Sequence, residues 1–233
     1  MAQPKPKRPG PGRPKDDQLA ARRRAEIVRH AIDEFARRGY AGADLDAIAA
    51  NAGCSKGTLY NYFKSKGDLF NASVDHVMFG MKQAVGTLDD DRDPIDQLEN
   101  LVRGFLRHFA KHPQHIELLV QERSDFRDRA QPTYYTYRAA SRRQWRARFE
   151  RLIADGRMRP MPTDRAINIL GDLLYGTIFM NHVRGRRTAP DRQAAEVLDV
   201  LLGGLLTDAE FRARQKRPRP RPRRPAATAA GAD

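Results

Sequence analysis

The stretch from Leu45 to Lys66, LDAIAANAGCSKGTLYNYFKSK, constrains the fold more than any other, because its pattern fits two short helices joined by a tight turn. Leu45, Ile48, Ala49 and Ala52 recur at helical spacing, and Leu59 and Phe63 stand four apart, so each helix has one narrow apolar stripe to bury. Gly53 falls where the turn needs a left-handed residue. Ser55 follows it as an N-cap whose hydroxyl can satisfy an amide of the helix Lys56 to Phe63. Outside the stripe stand Lys56, Thr58, Tyr60, Asn61 and Tyr62, and from Lys56 to Lys66 the chain carries lysines and no acid. Such side chains hydrogen-bond phosphates and base edges, and a helix N-terminus itself attracts phosphate. The pattern is that of a DNA-reading device.

The run AIAANAGCSKGTLYNYFKSKGDLF resembles the helix-turn-helix signature of the TetR/AcrR family of bacterial transcriptional regulators, IAxxAGVSxGTLYxYFxSKxxL, at almost every position. The resemblance implies that the second helix enters the major groove, with Ser55, Lys56, Gly57, Thr58, Tyr60, Asn61, Tyr62 and Lys66 at bases or phosphates. It also implies an all-α chain of about nine helices: an N-terminal three-helix DNA-binding domain, then a helical effector-binding and dimerisation domain. One departure stands out. Where the family has a phosphate-touching Thr, this chain has Ala43 and Asp44, and Asp44 suits an N-cap but repels phosphate.

The formal charge of +14 on 233 residues is concentrated at the ends. Lys5, Lys7, Arg8, Arg13 and Lys15 precede Asp16, while Arg212, Arg214, Lys216, Arg217, Arg219, Arg221, Arg223 and Arg224 follow residue 211, which leaves the centre nearly neutral. These Pro-rich tails, 1–15 and 212–233, are expected to be disordered. They either add a salt-sensitive attraction to polyanions or only solubilise. In the first, Pro11-Gly12-Arg13-Pro14 reads as an extended arm that places Arg13 in a narrow minor groove. Cys54 is the only cysteine, so no intramolecular disulfide can form, and it takes the turn position where the family has a buried Val. With no apolar run near the ~20 residues of a membrane span and no signal-peptide core, a cytoplasmic, nucleoid-associated protein is expected.

The DNA-binding domain is expected over 16–64 and the helical body over 65–211. Asp16 and Asp17 open a helix that buries Ile27, Val28, Ala31, Ile32 and Phe35 and stops at Gly39; Arg22, Arg23 and Arg24 either reach phosphate or form a solvated face. Ser65 caps a long helix patterned from Phe70 to Leu88, with Gly80 and Gly86 inside it. Asp93-Pro94 starts the next helix, to about Lys111, and a short one follows Pro113. A long helix from about Pro132 to Asp155 carries Trp145 and Phe149, and two more run from Asp164 to Arg184 and, after a Thr188 cap, from Asp191 to about Phe211. No run alternates with period two.

Catalytic signatures are missing: there is no GxSxG, Walker loop or paired-carboxylate frame, so an enzyme is not expected. His108 and His112 have metal-ligand spacing but lack a third ligand at fixed spacing, and neither metal nor cofactor is expected. Phe105, Phe109, Tyr134, Tyr135, Trp145, Phe149, Tyr175, Phe179 and Met180 are plain core or, by the resemblance, partly the lining of an effector pocket. That pocket would take an apolar or aromatic small molecule, with Asn181 as a polar group there or a helix cap. By the same resemblance Leu170, Leu174, Ile178, Leu198, Leu201, Leu202 and Leu205 are expected at a homodimer interface. The function so implied is a ligand-released repressor that binds a palindromic double-stranded DNA operator as a homodimer. The competing reading is a general DNA-compacting protein dominated by its tails.

Overall fold

The computed structural model describes residues 17–126, 132–186 and 188–216, and these form ten helices and no strand beyond a single bridge between Met158 and Leu206. They are α1 (Asp17–Gly42), α2 (Leu45–Asn51), α3 (Lys56–Tyr62), α4 (Lys66–Val85), α5 (Pro94–Lys111), α6 (Gln114–Asp125), α7 (Thr133–Ala154), α8 (Thr163–Val183), α9 (Pro190–Leu205) and α10 (Asp208–Gln215). Arg13 with the rest of the N-terminal arm, and the tail beyond residue 216, lie outside the described residues.

Local signals set most helix ends. The carboxylate of Asp44 accepts from the Asp46 amide at 2.9 Å, Ser65 from Asp68 at 3.0 Å and Asp93 from Ile95 at 2.8 Å, each satisfying a first-turn N–H that has no partner within its helix. Gly39 takes φ 73 and kinks α1, which continues for one short turn instead of stopping there. Gly86, expected inside α4, ends it at φ 78, and Leu88 therefore lies beyond the helix. Ala189, not Thr188, occupies the N-cap of α9, with no side-chain bond to the amides.

The C-terminal boundary also differs from expectation. The chain turns extended at Leu206, and Thr207 caps a tenth helix that runs through residues assigned to the tail. Arg214 explains why it docks: its guanidinium lies 3.0 Å from Asp93, 2.6 Å from Asp96, and 3.1 Å from both Glu99 and Glu210. Arg157 joins the same cluster at 2.8 Å from Asp93 and 2.9 Å from Glu210, and those bonds hold the Glu210 carboxyl below its ordinary range. Arg214 is thus a partner of the body and not a tail charge.

α4 runs from the N-terminal unit into the body. At one end Phe70 meets Phe35 edge-on at 5.0 Å between ring centres and stacks on Phe126 at the same distance. At the other end α5 crosses it so closely that a Cβ on Gly104 would lie 2.3 Å from the Ala84 carbonyl oxygen, a contact only glycine allows. α6 braces α1 through Gln121, whose amide donates to the Phe35 carbonyl at 2.9 Å. The buried Glu122 carboxylate caps α7 from a distance, accepting from the Thr133 amide at 3.0 Å.

The leucines expected at a dimer interface point inward. Leu170, Leu174, Ile178, Leu198, Leu201, Leu202 and Leu205 are all buried within the single chain, so they offer no surface to a partner. α8 carries a second apolar stripe, and α9 exposes a single large apolar side chain. Ile169 (55%), Met180 (39%), Val183 (62%) and Val200 (74%) are exposed, with Leu173 and Gly176 half-buried between them.

Candidate nucleic-acid interface and effector cavity

The turn between α2 and α3 is fixed by local chemistry. Gly53 takes φ 65, and Ser55 Oγ accepts from the Thr58 amide at 3.1 Å and lies 2.9 Å from Thr58 Oγ1. Two of the three N-terminal arginines hold this unit together: Arg23 donates to the Ala52 carbonyl at 2.9 Å, and the Arg24 guanidinium lies 4.9 Å above the Phe63 ring. Glu34, which the sequence did not flag, is buried and accepts from Arg37, from Arg38 at 3.0 Å and from the Asp44 amide at 3.3 Å, tying the kinked end of α1 to the start of α2. An acid on the buried face of a helix was the only signal available.

The expected contact residues divide into three groups. Ser55, Lys56, Gly57, Tyr60 and Asn61 are exposed along α3, with Thr58 half-buried beside them. Lys56 pairs with Asp46 at 2.8 Å, and that hydrogen bond raises its pKa, so it must exchange one anion for another to reach phosphate. Tyr62 is half-buried and packs against the core.

Lys66 differs most from expectation. Its ammonium donates to the carbonyls of Ala41 at 2.9 Å and Ala43 at 2.7 Å and sits 5.4 Å from the Tyr40 ring. These are carbonyls left open after the Gly39 kink, so Lys66 acts first as a cap. Lys66→Ala is expected to cost about 1–2 kcal/mol, seen as a melting temperature lower by roughly 3–6 °C. An unchanged melting curve would return Lys66 to a purely DNA-facing role.

A cavity of about 1280 Å³ opens among α4, α5, α7 and α8. Of the aromatic set, Phe105, Tyr134 and Trp145 line it, together with Met78, Leu170 and Leu174. Tyr134 is held there by its hydroxyl, which donates to the Gly171 carbonyl at 3.2 Å, and burial pushes its pKa up to about 12. Phe109, Phe149, Tyr175, Phe179 and Asn181 do not line the cavity. Phe109 and Phe149 are core. Each i+4 step along a helix advances about 40°, so Tyr175 and Phe179 drift off the cavity face that Gly171 occupies. Asn181 instead exchanges hydrogen bonds with Gln193 at 2.8 and 3.1 Å, joining α8 to α9.

His108, His112 and His115 come together at the α5–α6 junction, with His108 Nε2 and His115 Nδ1 3.1 Å apart. Glu117 is engaged by His182 at 2.8 Å and Glu122 by Thr133, and among the described residues no group of three or more His, Cys, Asp or Glu is placed to hold a metal. Burial lowers the pKa of His108 to about 4 and of His115 to about 3. Because these values lie below the ordinary 6.5, the unfolded chain takes up protons that the folded chain refuses as pH falls. This contribution to stability is complete above about pH 6.5 and is lost progressively toward pH 3. The melting temperature should therefore fall as pH is lowered from 7 to 5, and His115→Gln should flatten that limb. Parallel pH profiles for the two proteins would show that the histidines are not its source.

Residues 27–73 match the model for bacterial regulatory proteins of the tetR family, and residues 91–205 match that for the tetracyclin repressor-like C-terminal domain. The HTH-type transcriptional repressor SCO4008 of Streptomyces coelicolor is 33% identical over 141 residues, covering 60% of this chain and 68% of that protein. The HTH-type transcriptional repressor KstR2 of Mycolicibacterium smegmatis is 25% identical over 190 residues, covering 79% and 91%. A solved TetR transcriptional regulator from Chloroflexus aurantiacus shares the fold at a TM-score of 0.65 and 20% identity, over 81% of this chain and 98% of that one.

Proposed function

This chain belongs to the tetR family of bacterial regulatory proteins and is a helix-turn-helix DNA-binding transcriptional regulator, and on that premise we propose that it is a repressor which binds a palindromic operator as a homodimer and is released by a small molecule. The observation that carries the reading is the exposed edge of α3, where Tyr60 and Asn61 stand free of the core on a helix whose position is fixed by caps and by Arg23. The proposed contacts are Ser55, Lys56, Gly57, Thr58, Tyr60 and Asn61, with Arg13 of the arm in the adjacent minor groove. The test is the affinity ratio between a palindromic site from its own promoter and random DNA at physiological salt. A ratio of about 10³ or more is expected, whereas a ratio near one would favour the DNA-compacting reading.

The proposed dimer face is the outward stripe of α8 together with Val200 of α9. Ile169, Leu173, Gly176, Met180 and Val183 recur at steps of four and three, the spacing of a helix-packing seam, and Val200 is the large apolar side chain that α9 exposes. Met180→Glu should convert the protein to a monomer in sedimentation and weaken operator binding, while Leu174→Ala, which is internal, should lower stability without changing the oligomeric state. A Met180→Glu protein that sediments as the wild type does would move the interface elsewhere.

The effector reading rests on α4. Leu69 and Phe70 of this helix pack in the buried core beside Phe35 of α1, while Met78, Met81 and Val85 line the cavity. A ligand that binds one arrangement of α4 better than another shifts the spacing of the two reading heads by that difference in affinity. Trp145, at the cavity wall, is the natural reporter.

A further inference from the structure

The cavity lining carries charge of one sign. Lys82, Arg92, Arg103, Arg107, Arg138 and Arg142 stand on it, and among the described residues no aspartate or glutamate does. Four of these cations are neutralised by acids that lie off the lining: Arg138 by Asp172 at 2.8 Å, Arg142 by Asp164 at 3.0 Å, Arg107 by Asp191 at 2.5 Å and Arg92 by Asp89 at 3.8 Å. The side chains of Lys82 and Arg103 have no ion-pair or hydrogen-bond partner among the described residues. Both stand near the α4–α5 crossing. Gly104 meets the last turn of α4 at Ala84 and Val85; the half-buried Arg103 precedes it on α5 and the exposed Lys82 stands on that last turn, and both line the cavity.

Neutral polar groups, among them Gln97, Asn100, Ser141 and Gln144, share the rest of the wall with an apolar part: Phe105, Trp145, Leu170 and Leu174 are almost wholly buried yet line the space. At about 1280 Å³ the cavity exceeds the ~300–1,000 Å³ of ordinary small-molecule sites, room for a long alkyl chain or several fused rings. A concave site lined by one sign of charge above low-dielectric walls concentrates counter-ions, and unpartnered cations there favour an anion over a neutral molecule of the same shape. We infer that the cavity takes an amphipathic anion, with its apolar body on Trp145, Leu170 and Leu174 and a carboxylate or phosphate head between Lys82 and Arg103. This rests on the reading of the cavity as the effector site.

The test uses four probes on the full chain below their micellar concentrations: dodecanoate, dodecyl phosphate, dodecanol and dodecyltrimethylammonium. Calorimetry, Trp145 emission and melting temperature are read together. At least one anion is expected to bind once per chain, to raise the melting temperature, and to bind about ten- to hundredfold tighter than dodecanol, with the cation weakest. Which anion binds better identifies the head group. Arg103→Gln and Lys82→Gln should each reduce anion affinity toward that of dodecanol and leave dodecanol binding unchanged; the exposed Lys82 makes the second variant safe for folding. Dodecanol or the ammonium binding as tightly as the anions would overturn the inference and leave the effector cavity standing. No probe perturbing Trp145 or the melting temperature would overturn the inference and the effector reading together.

Discussion

Gly104→Ala is expected to lower the melting temperature by several degrees, up to roughly 10 °C. The added Cβ would lie 2.3 Å from the Ala84 carbonyl oxygen, 2.9 Å from its carbon and 3.0 Å from Val85 Cα. All three are backbone atoms, so the strain is relieved only by moving α4 and α5 apart. Overpacking of this kind costs about 1–3 kcal/mol and occasionally more, and each kcal/mol lowers the melting temperature of a chain this size by about 2–4 °C. Gly80→Ala is the control. Its Cβ meets only a side chain, the His108 ring at 3.1 Å, and no backbone atom, and alanine gains roughly 0.8–1 kcal/mol of helix propensity. Calorimetry on both variants checks the pair. A Gly104→Ala protein as stable as the wild type would mean that the α4–α5 crossing is not tight, and the placement of Arg103 beside the end of α4 would fall with it.

Tyr60→Ala is expected to weaken operator binding by about ten- to a hundredfold, or about 1–3 kcal/mol, with little effect on random DNA. The side chain is 44% exposed and no part of the buried core, so the melting temperature should hold. Lys56→Ala should have a smaller and sequence-independent effect, because its ammonium is already paired with Asp46 and loses that partner on meeting phosphate. Fluorescence anisotropy on the two DNAs across a range of salt separates these roles. Equal losses on operator and random DNA for Tyr60→Ala would remove it from base reading.

What the sequence determined was whatever local chemistry decides. The caps at Asp44, Ser55, Ser65 and Asp93, the turn at Gly53 and the inward stripes of α1, α2, α3 and α5 need only neighbours within a few residues and stand where their patterns put them, while the stripe of α4 holds only as far as Val85 because Gly86 ends that helix. The DNA-binding unit was legible because nearly everything that shapes it is of this kind. Tertiary structure decided the rest. Periodicity reveals an apolar stripe but not what covers it, and α8 carries two, so the leucines assigned to a dimer proved to be the chain's own core while Ile169, Met180 and Val183 stayed outside. The cavity drew only Phe105, Tyr134 and Trp145 from the expected aromatic set, because a lining depends on how α4, α5, α7 and α8 cross, and Gly104 sets one of those crossings. Charges were the least legible. Lys66 and Arg214 looked like cations for DNA or solvent, yet one caps α1 and the other gathers Glu210 of its own helix with three acids from distant sequence. A long cationic side chain reaches whichever carbonyl or carboxylate folding brings near, and that position is a property of the packed chain.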